Sequence, residues 1–258
     1  MAQEGESAMD QRRSALVELV NREGSVSFSQ IKQAFPNVSE MTLRTDLKTL
    51  DQERLIIRVH GGARSVENLV GSDGMLNARA LKHADAKRAI ALKARELVRP
   101  DTTIFLDSGS TTTELARLFP DEHVIVFTCG LTCAVELARL EQAQVILPGG
   151  KLNRFSLSAS GSRSIRAVSE LTFDTLFLGT TRYSADTGFT CESDEEADLK
   201  KTCMARASKV VMLMDSSKVD KRGTFRICGL EDIDVLVSDG ELPRDMLQRC
   251  ADNNVEVL

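Results

Sequence analysis

The chain has no run of about 18 consecutive apolar residues, and no basic segment followed by an apolar one near its start. Neither a membrane span nor a secretory signal is therefore expected, and the expected compartment is the cytoplasm. Its six cysteines, Cys129, Cys133, Cys191, Cys203, Cys228 and Cys250, form no CxxC pair. They also form no ligand-spaced cluster with the three histidines, His60, His83 and His123. A zinc module and a disulfide framework are both excluded on that pattern, and reduced, packed thiols with no metal or other cofactor are expected. Basic charge is lacking too: the formal net charge is −5, which as a total argues against contact with nucleic acid.

The distribution of that charge reverses the argument. Residues 10 to 64 carry nine Lys or Arg against seven Asp or Glu, whereas residues 65 to 258 carry 24 against 29. A weakly basic head on an acidic body suits a protein whose head alone meets phosphates. The excess is small, so useful affinity requires two or more such heads. With 258 residues the chain is long enough for one large or two unequal domains.

Within the head, residues 39 to 63 read SEMTLRTDLKTLDQERLIIRVHGGA. Leu43, Leu47 and Leu50 recur at helical spacing and form an apolar stripe. Met41, Thr42, Arg44, Thr45 and Lys48 fall on other faces, and Ser39 is placed to cap the helix amino terminus. The LIIRVHGGA run then alternates up to two glycines, predicting a β-wing that carries Arg58 and His60. A leucine stripe with charges opposite occurs in many small helical domains, so the upstream residues decide. Residues 1 to 9 are polar and acidic and are expected to be unstructured. From Asp10, Leu16, Leu19 and Val20 share a face that ends at Gly24. Ser27 and Gln30 then have capping-box spacing, with Ile31, Ala34 and Phe35 as a buried face and Pro36 as terminator. Three helices and a wing predict a winged helix-turn-helix whose third helix enters the major groove.

The stretch VSEMTLRTDLKTLDQERLIIRVHGGA resembles the amino-terminal signature of the DeoR family of bacterial transcriptional regulators. That resemblance implies Ser39, Met41, Thr42, Arg44, Thr45, Lys48, Arg58 and His60 as DNA-facing positions. Thr45 departs from the family, which usually has a second Arg there.

Residues 65 to 83 mix Gly, Ser, Asn and charge and are expected to form a linker between a head at 10 to 64 and a body at 84 to 258. In the body, helical runs alternate with TIFL, VIVFTC, QVIL, FDTLFLG, KVVMLMD and DVLVSD. This predicts an α/β fold with a largely parallel sheet. Such folds bind ligands at the carboxyl ends of strands, which singles out DSGSTTT, residues 107 to 113. Gly109 permits close backbone approach, while Ser108, Ser110, Thr111 and Thr112 place hydroxyls beside free helical N–H groups, a setting for an anion. Helix capping by those same side chains is the alternative.

DSGSTTT is similar to the DSGTTT loop of the DeoR sensor domain, whose fold resembles ribose-5-phosphate isomerase. The resemblance implies that Gly109, Ser110, Thr111 and Thr112 hold the phosphate of a sugar effector. Asp107 and Ser108 flank that loop. Matching stretches add Gly149 and Gly150 of PGG, Glu196 and Lys200 of EEADLKK, and Lys218 of DSSK. Cys129 stands where the family commonly has Asn, and Thr181 and Arg182 lie in GTTRY where it commonly has GVDGI. Losing an amide and a carboxylate while gaining a guanidinium points toward a more acidic effector, such as a phosphorylated sugar acid.

The expectation is thus a DNA-binding repressor of carbohydrate metabolism genes, not an enzyme. Its expected partners are double-stranded operator DNA, a phosphorylated sugar or sugar acid, and at least one further copy of itself. Two alternatives stand beside it. One is an isomerase-like enzyme using Asp107, Glu196, Asp215 and Lys218 as acid–base groups. The other is an architectural DNA-binding protein with no ligand.

Overall fold

The computed structural model describes residues 2–53, 55–59, 61–65 and 76–258. They fall into two compact units, Met1–Ala78 and Arg79–Leu258. No helix among the described residues is long and apolar enough to cross a membrane.

The first unit contains α1 (Ala2–Glu23), β1 (Ser25–Ser27), α2 (Phe28–Ala34), α3 (Glu40–Gln52), β2 (Ile56–Val59) and β3 (Gly62–Ser65). The capping box at α2 is formed: the Gln30 N–H donates to Ser27 Oγ at 3.3 Å and the Ser27 N–H to Gln30 Oε1 at 2.8 Å. Ser39 caps α3 by accepting the Thr42 N–H at 3.1 Å. Leu43, Leu47 and Leu50 are all buried, packed with Leu16, Val20, Ile31 and Ile56. Each such side chain contributes roughly 1.5–3 kcal/mol by leaving water. On α2, Ile31 is buried and Phe35 half-buried, but Ala34 faces outward. The wing is an antiparallel β2–β3 pair in which Arg58 lies opposite Ala63. Its turn uses Gly61 at φ +80°, and Gly62 lies so close to the Val26 carbonyl that a Cβ would meet it at 2.1 Å. That approach lets β1 add to the wing, giving the sheet order β1-β3-β2.

Two expectations are corrected. Residues 2 to 9 belong to α1, because Ala, Gln, Glu and Met are good helix formers and extending a nucleated helix is inexpensive. Part of the supposed linker, LNARAL, forms α4 (Leu76–Leu81) for the same reason of propensity.

The second unit begins with α5 (Ala84–Arg95), β4 (Thr103–Leu106), α6 (Ser110–Arg117), β5 (Ile125–Thr128), α7 (Leu131–Leu137) and β6 (Gln144–Ile146). A hairpin of β7 (Lys151–Asn153) and β8 (Ser158–Ser160) leads to α8 (Ser162–Ser169) and β9 (Phe173–Gly179). Then come β10 (Arg182–Ser184), β11 (Gly188–Cys191), α9 (Asp194–Met204), β12 (Ala207–Leu213), β13 (Phe225–Cys228), β14 (Val235–Val237), α10 (Arg244–Asp252) and β15 (Glu256–Val257). Seven strands form a wholly parallel sheet in the order β15-β14-β12-β9-β4-β5-β6.

Strand period two divides the core between the sheet's faces. Ile104 and Leu106 pack with Val126, Phe177 and Val211 beneath α5, α6 and α7. Phe105 packs with Phe127, Leu176 and Met212 against α8 and α9. All six cysteines are buried and free, as their spacing led us to expect. The antiparallel sheet β10-β11-β13 was not legible in the sequence, since its strands are only three or four residues long. Strand order runs outward from the β4/β9 pair in both directions, so the loops that follow these two strands diverge and leave a crevice at their carboxyl ends.

Candidate functional site

That crevice is occupied by the turn from β4 into α6. Gly109, at φ +139° and ψ 172°, is the residue before the helix, and no side chain caps the first turn. The Thr112 and Thr113 hydroxyls instead donate back to the Gly109 carbonyl at 3.0 and 2.7 Å. The capping alternative therefore fails, because these hydroxyls are turned away from the N–H groups. Thr111 is 4% exposed, and its buried hydroxyl has no hydrogen-bond partner among the described residues. It lines a depression together with Ser108, Gly109, Ser110, Thr112, Thr180, Thr181, Glu196, Lys200 and Lys218. This depression continues into an outer lobe of about 310 Å³, within the range of small-molecule pockets.

Two buried lysines, Lys87 and Lys200, and the half-buried Lys218 reach the site from different elements, and their environments differ. Lys200 of α9 contacts Asp107, lies 3.2 Å from Glu196 and donates to the Gly179 carbonyl at 2.9 Å. Burial disfavours its charge, but Asp107 and Glu196 outweigh that and hold the ammonium above the usual lysine range. Lys218 donates to the Thr180 carbonyl at 2.8 Å and lies 3.5 Å from Asp215. Burial pushes it below the usual range, with Asp215 offsetting only part. Lys87 of α5 donates to the Lys82 carbonyl. Burial pushes Lys87 down to about 8; Asp215 counters this, while Lys218 and Arg79 repel the charge further. Burial likewise opposes the charge of Asp215, but Lys218, the Ser217 hydroxyl and Lys87 draw it below the usual carboxylate range.

The structure brings together most, not all, of the residues the sequence singled out. Asp107 is buried beneath the loop, where its carboxylate is engaged by Lys200 and by the Gly179 N–H at 2.9 Å. Arg182 lies on the outer wall, 2.9 Å from Glu192. Cys129 is not in the depression: it is buried in the apolar core, which pushes its thiol up to about 12. Gly149 and Gly150 also lie outside the lining. Gly150 instead packs against α8, where a Cβ would sit 2.0 Å from Ser164 Oγ. Sequence reading missed Arg79, Lys82, Lys87, Thr180 and Lys221, which line the outer lobe. For Lys87 there was a signal: it occupies the same stripe as Ile90, Ala91 and Ala94, all buried.

On the first unit, α3 presents Met41 at 81% exposure, with Arg44, Thr45 and Lys48 also exposed. Arg44 lies over the Phe28 ring, 4.1 Å from its centroid, and 3.6 Å from Glu40. Its head is therefore oriented by α2 before any partner arrives. The Thr45 hydroxyl donates to the Met41 carbonyl at 2.9 Å, so this side chain offers its methyl outward in place of the guanidinium common in the family. Ser39 and Thr42 are engaged in the cap. Arg58 is exposed on β2, and His60 lies outside the described residues. A residue the sequence reading passed over holds this surface in place: Asp46 is 2% exposed and accepts from Arg12 Nε at 2.7 Å and Arg13 Nε at 3.0 Å. That hydrogen bond raises the Arg12 pKa above its ordinary value, and the pair of bonds ties α3 to α1.

Comparison with known proteins agrees with this two-part organisation. Residues 12–68 match a DeoR-like helix-turn-helix domain and residues 82–240 match a DeoR C terminal sensor domain. The chain is 32% identical to the HTH-type transcriptional regulator GlpR of Haloferax volcanii, over 96% of each chain. It is 27% identical to the glycerol-3-phosphate regulon repressor of Escherichia coli, over 96% of this chain and 97% of that one. Among solved structures, the ribose 5-phosphate isomerase A of Methanocaldococcus jannaschii aligns with a TM-score of 0.41 at 18% identity, over 55% of this chain and 56% of that one. Relatives alike over nearly their whole length are thus named as regulators, and both halves of the chain match one family's domains: the chain belongs to the DeoR family of DNA-binding transcriptional regulators.

Proposed function

We propose that this regulator is a repressor of carbohydrate metabolism genes whose operator affinity is set by a phosphorylated sugar or sugar acid bound at the β4–α6 turn. The observation that carries the effector reading is the uncapped amino end of α6 together with Thr111, which lines the same depression and whose buried hydroxyl has no partner among the described residues. A phosphoryl group there accepts from the hydroxyl and from oriented N–H groups at the positive end of the helix dipole. The repressor reading is supported by the likeness to the glycerol-3-phosphate regulon repressor of Escherichia coli.

In this reading Arg44, Lys48, Met41 and Thr45 meet DNA, together with Arg58 of the wing. The small number of cations on that surface calls for at least a dimer on a two-fold operator, in the cytoplasm. The head corresponds to the first compact unit, Met1–Ala78, and the body to the second, Arg79–Leu258. Effector binding favours one arrangement of the protein over another, and by linkage it weakens DNA binding as much as DNA weakens effector binding. An isomerase-like activity is not favoured, because Asp107 is engaged by Lys200 and Gly179, and Asp215 by Ser217 and Lys218.

The test is a titration of labelled DNA from the chain's own promoter region with full-length protein at several salt concentrations. It is then repeated with a panel of sugar phosphates. Affinity should fall steeply with salt, since phosphate contacts release counterions, and at least one compound should release the DNA. A flat salt response overturns the DNA assignment of these residues, and a panel without effect overturns the effector reading.

A further inference from the structure

The depression has two adjoining lobes that share Arg79, Ser110, Thr180, Thr181 and Lys218, so groups held in the two lie side by side. The lobes are built differently. In the inner lobe the charge of Lys200 is already matched by Asp107 and Glu196. Beside the shared Arg79 and Lys218, that lobe offers an anion N–H and hydroxyl groups. On the outer lobe six cationic side chains line the wall, Arg79, Lys82, Lys87, Arg182, Lys218 and Lys221, and Asp215 is the one carboxylate among the lining residues. Lys87 is 5% exposed, and its ammonium meets a backbone carbonyl but, among the described residues, no carboxylate within ion-pair distance.

A buried ammonium whose hydrogen-bond partner is a backbone carbonyl is costly to hold charged, and an anion arriving beside Lys87 lowers that cost. The same conclusion follows from how far neighbouring carboxylates offset burial at the three lysines. Lys200 is stabilised as a cation, whereas Lys87 and Lys218 are both pushed toward neutrality. An incoming negative group therefore gains more at Lys87 and Lys218 than at Lys200.

We propose that the effector carries two separated anionic groups, a phosphoryl at the amino end of α6 and a second carboxylate or phosphoryl seated among Lys87, Lys218 and Lys221. This rests on the effector reading above and narrows it to phosphorylated sugar acids and sugar bisphosphates. The charge-assisted hydrogen bonds to the second group discriminate against a ligand with a neutral hydroxyl or carbonyl at that end.

The experiment is calorimetric titration of the full-length protein, at fixed ionic strength, with matched ligands. Glucose 6-phosphate against 6-phosphogluconate tests a carboxylate, and fructose 6-phosphate against fructose 1,6-bisphosphate tests a second phosphoryl. The member carrying the second anionic group should bind about tenfold or more tightly in at least one pair. The pair that separates tells carboxylate from phosphoryl. Lys221→Gln, on the exposed rim, and Lys87→Met should each reduce that ratio at least threefold. Should Lys87→Met fail to fold, Lys221→Gln carries the same reading. Equal binding of both members in both pairs overturns the second-anion site and leaves the phosphate reading standing, as does a ratio unchanged in the variants. Absence of binding by every phosphorylated compound overturns both.

Discussion

Replacing Thr111 by valine should stabilise the free protein and weaken its response to effector, two effects of opposite sign from one hydroxyl. The Thr111 side chain is buried, and its hydroxyl has no partner among the described residues. Burying a hydroxyl in this way costs about 1–3 kcal/mol. Valine has the same shape without the polar atom, so that cost is removed. For a folding unit of this size, each kcal/mol raises Tm by about 2–4 °C. In the complex the hydroxyl donates to a charged oxygen, a bond worth about 1.5–3 kcal/mol, so the affinity should fall roughly ten- to hundredfold.

The assay is thermal unfolding of the full chain by circular dichroism, with and without ligand. Tryptophan is absent and Tyr183 is the single tyrosine, so intrinsic fluorescence is a poor probe. Thr112→Val is the control: its hydroxyl already donates to the Gly109 carbonyl, so the same change there should lower Tm in the free state. A lower Tm for free Thr111→Val, or an undiminished ligand-induced rise, would refute the reasoning.

Asp46→Asn should destabilise the first unit by about 2–3 kcal/mol. It removes the carboxylate charge and one of the two acceptor oxygens, so one arginine bond is lost and the other weakened, while Arg12 and Arg13 are partly exposed and can turn to water. Hydrogen exchange of the α3 amides reads this directly, and a change below about 0.5 kcal/mol would place the bonds with weak surface pairs. Arg44→Ala should weaken operator binding by about 1–3 kcal/mol, with a smaller loss on random DNA; equal losses would make Arg44 a phosphate contact. Lys87 makes stability pH-dependent. Its folded pKa of about 8 lies below the ordinary lysine value of 10.5, so between the two the unfolded chain binds more protons. Its contribution therefore rises as pH increases through that window, by about 3 kcal/mol at most. Urea unfolding at pH 8, 9 and 10 should show that rise in the wild type relative to Lys87→Met, and parallel pH profiles would count against it.

What the sequence determined by itself was local. The Leu43, Leu47 and Leu50 stripe, the Ser27–Gln30 box, the Ser39 cap, the apolar strand runs and the DSGSTTT turn all depend on residues within a few positions of one another. Helix and strand periods, and hydrogen bonds three residues apart, are written at that range. The tertiary structure decided what each stripe meets. Asp46 and Lys87 each stand on an apolar stripe, where a charge signals a buried partner or pocket. Only the packing reveals that Asp46 meets Arg12 and Arg13 and that Lys87 opens onto the outer lobe. The same packing carried Cys129 into the core and brought β1 onto the wing. The physical reason is strand order. Similar apolar runs can be arranged in a parallel sheet in many ways, and each order brings different loops together at the carboxyl edge. The order β12-β9-β4-β5 sets the turn after β4 beside those after β9 and β12, and those turns hold Ser108 to Ser110, Thr180 to Arg182 and Asp215 to Lys221.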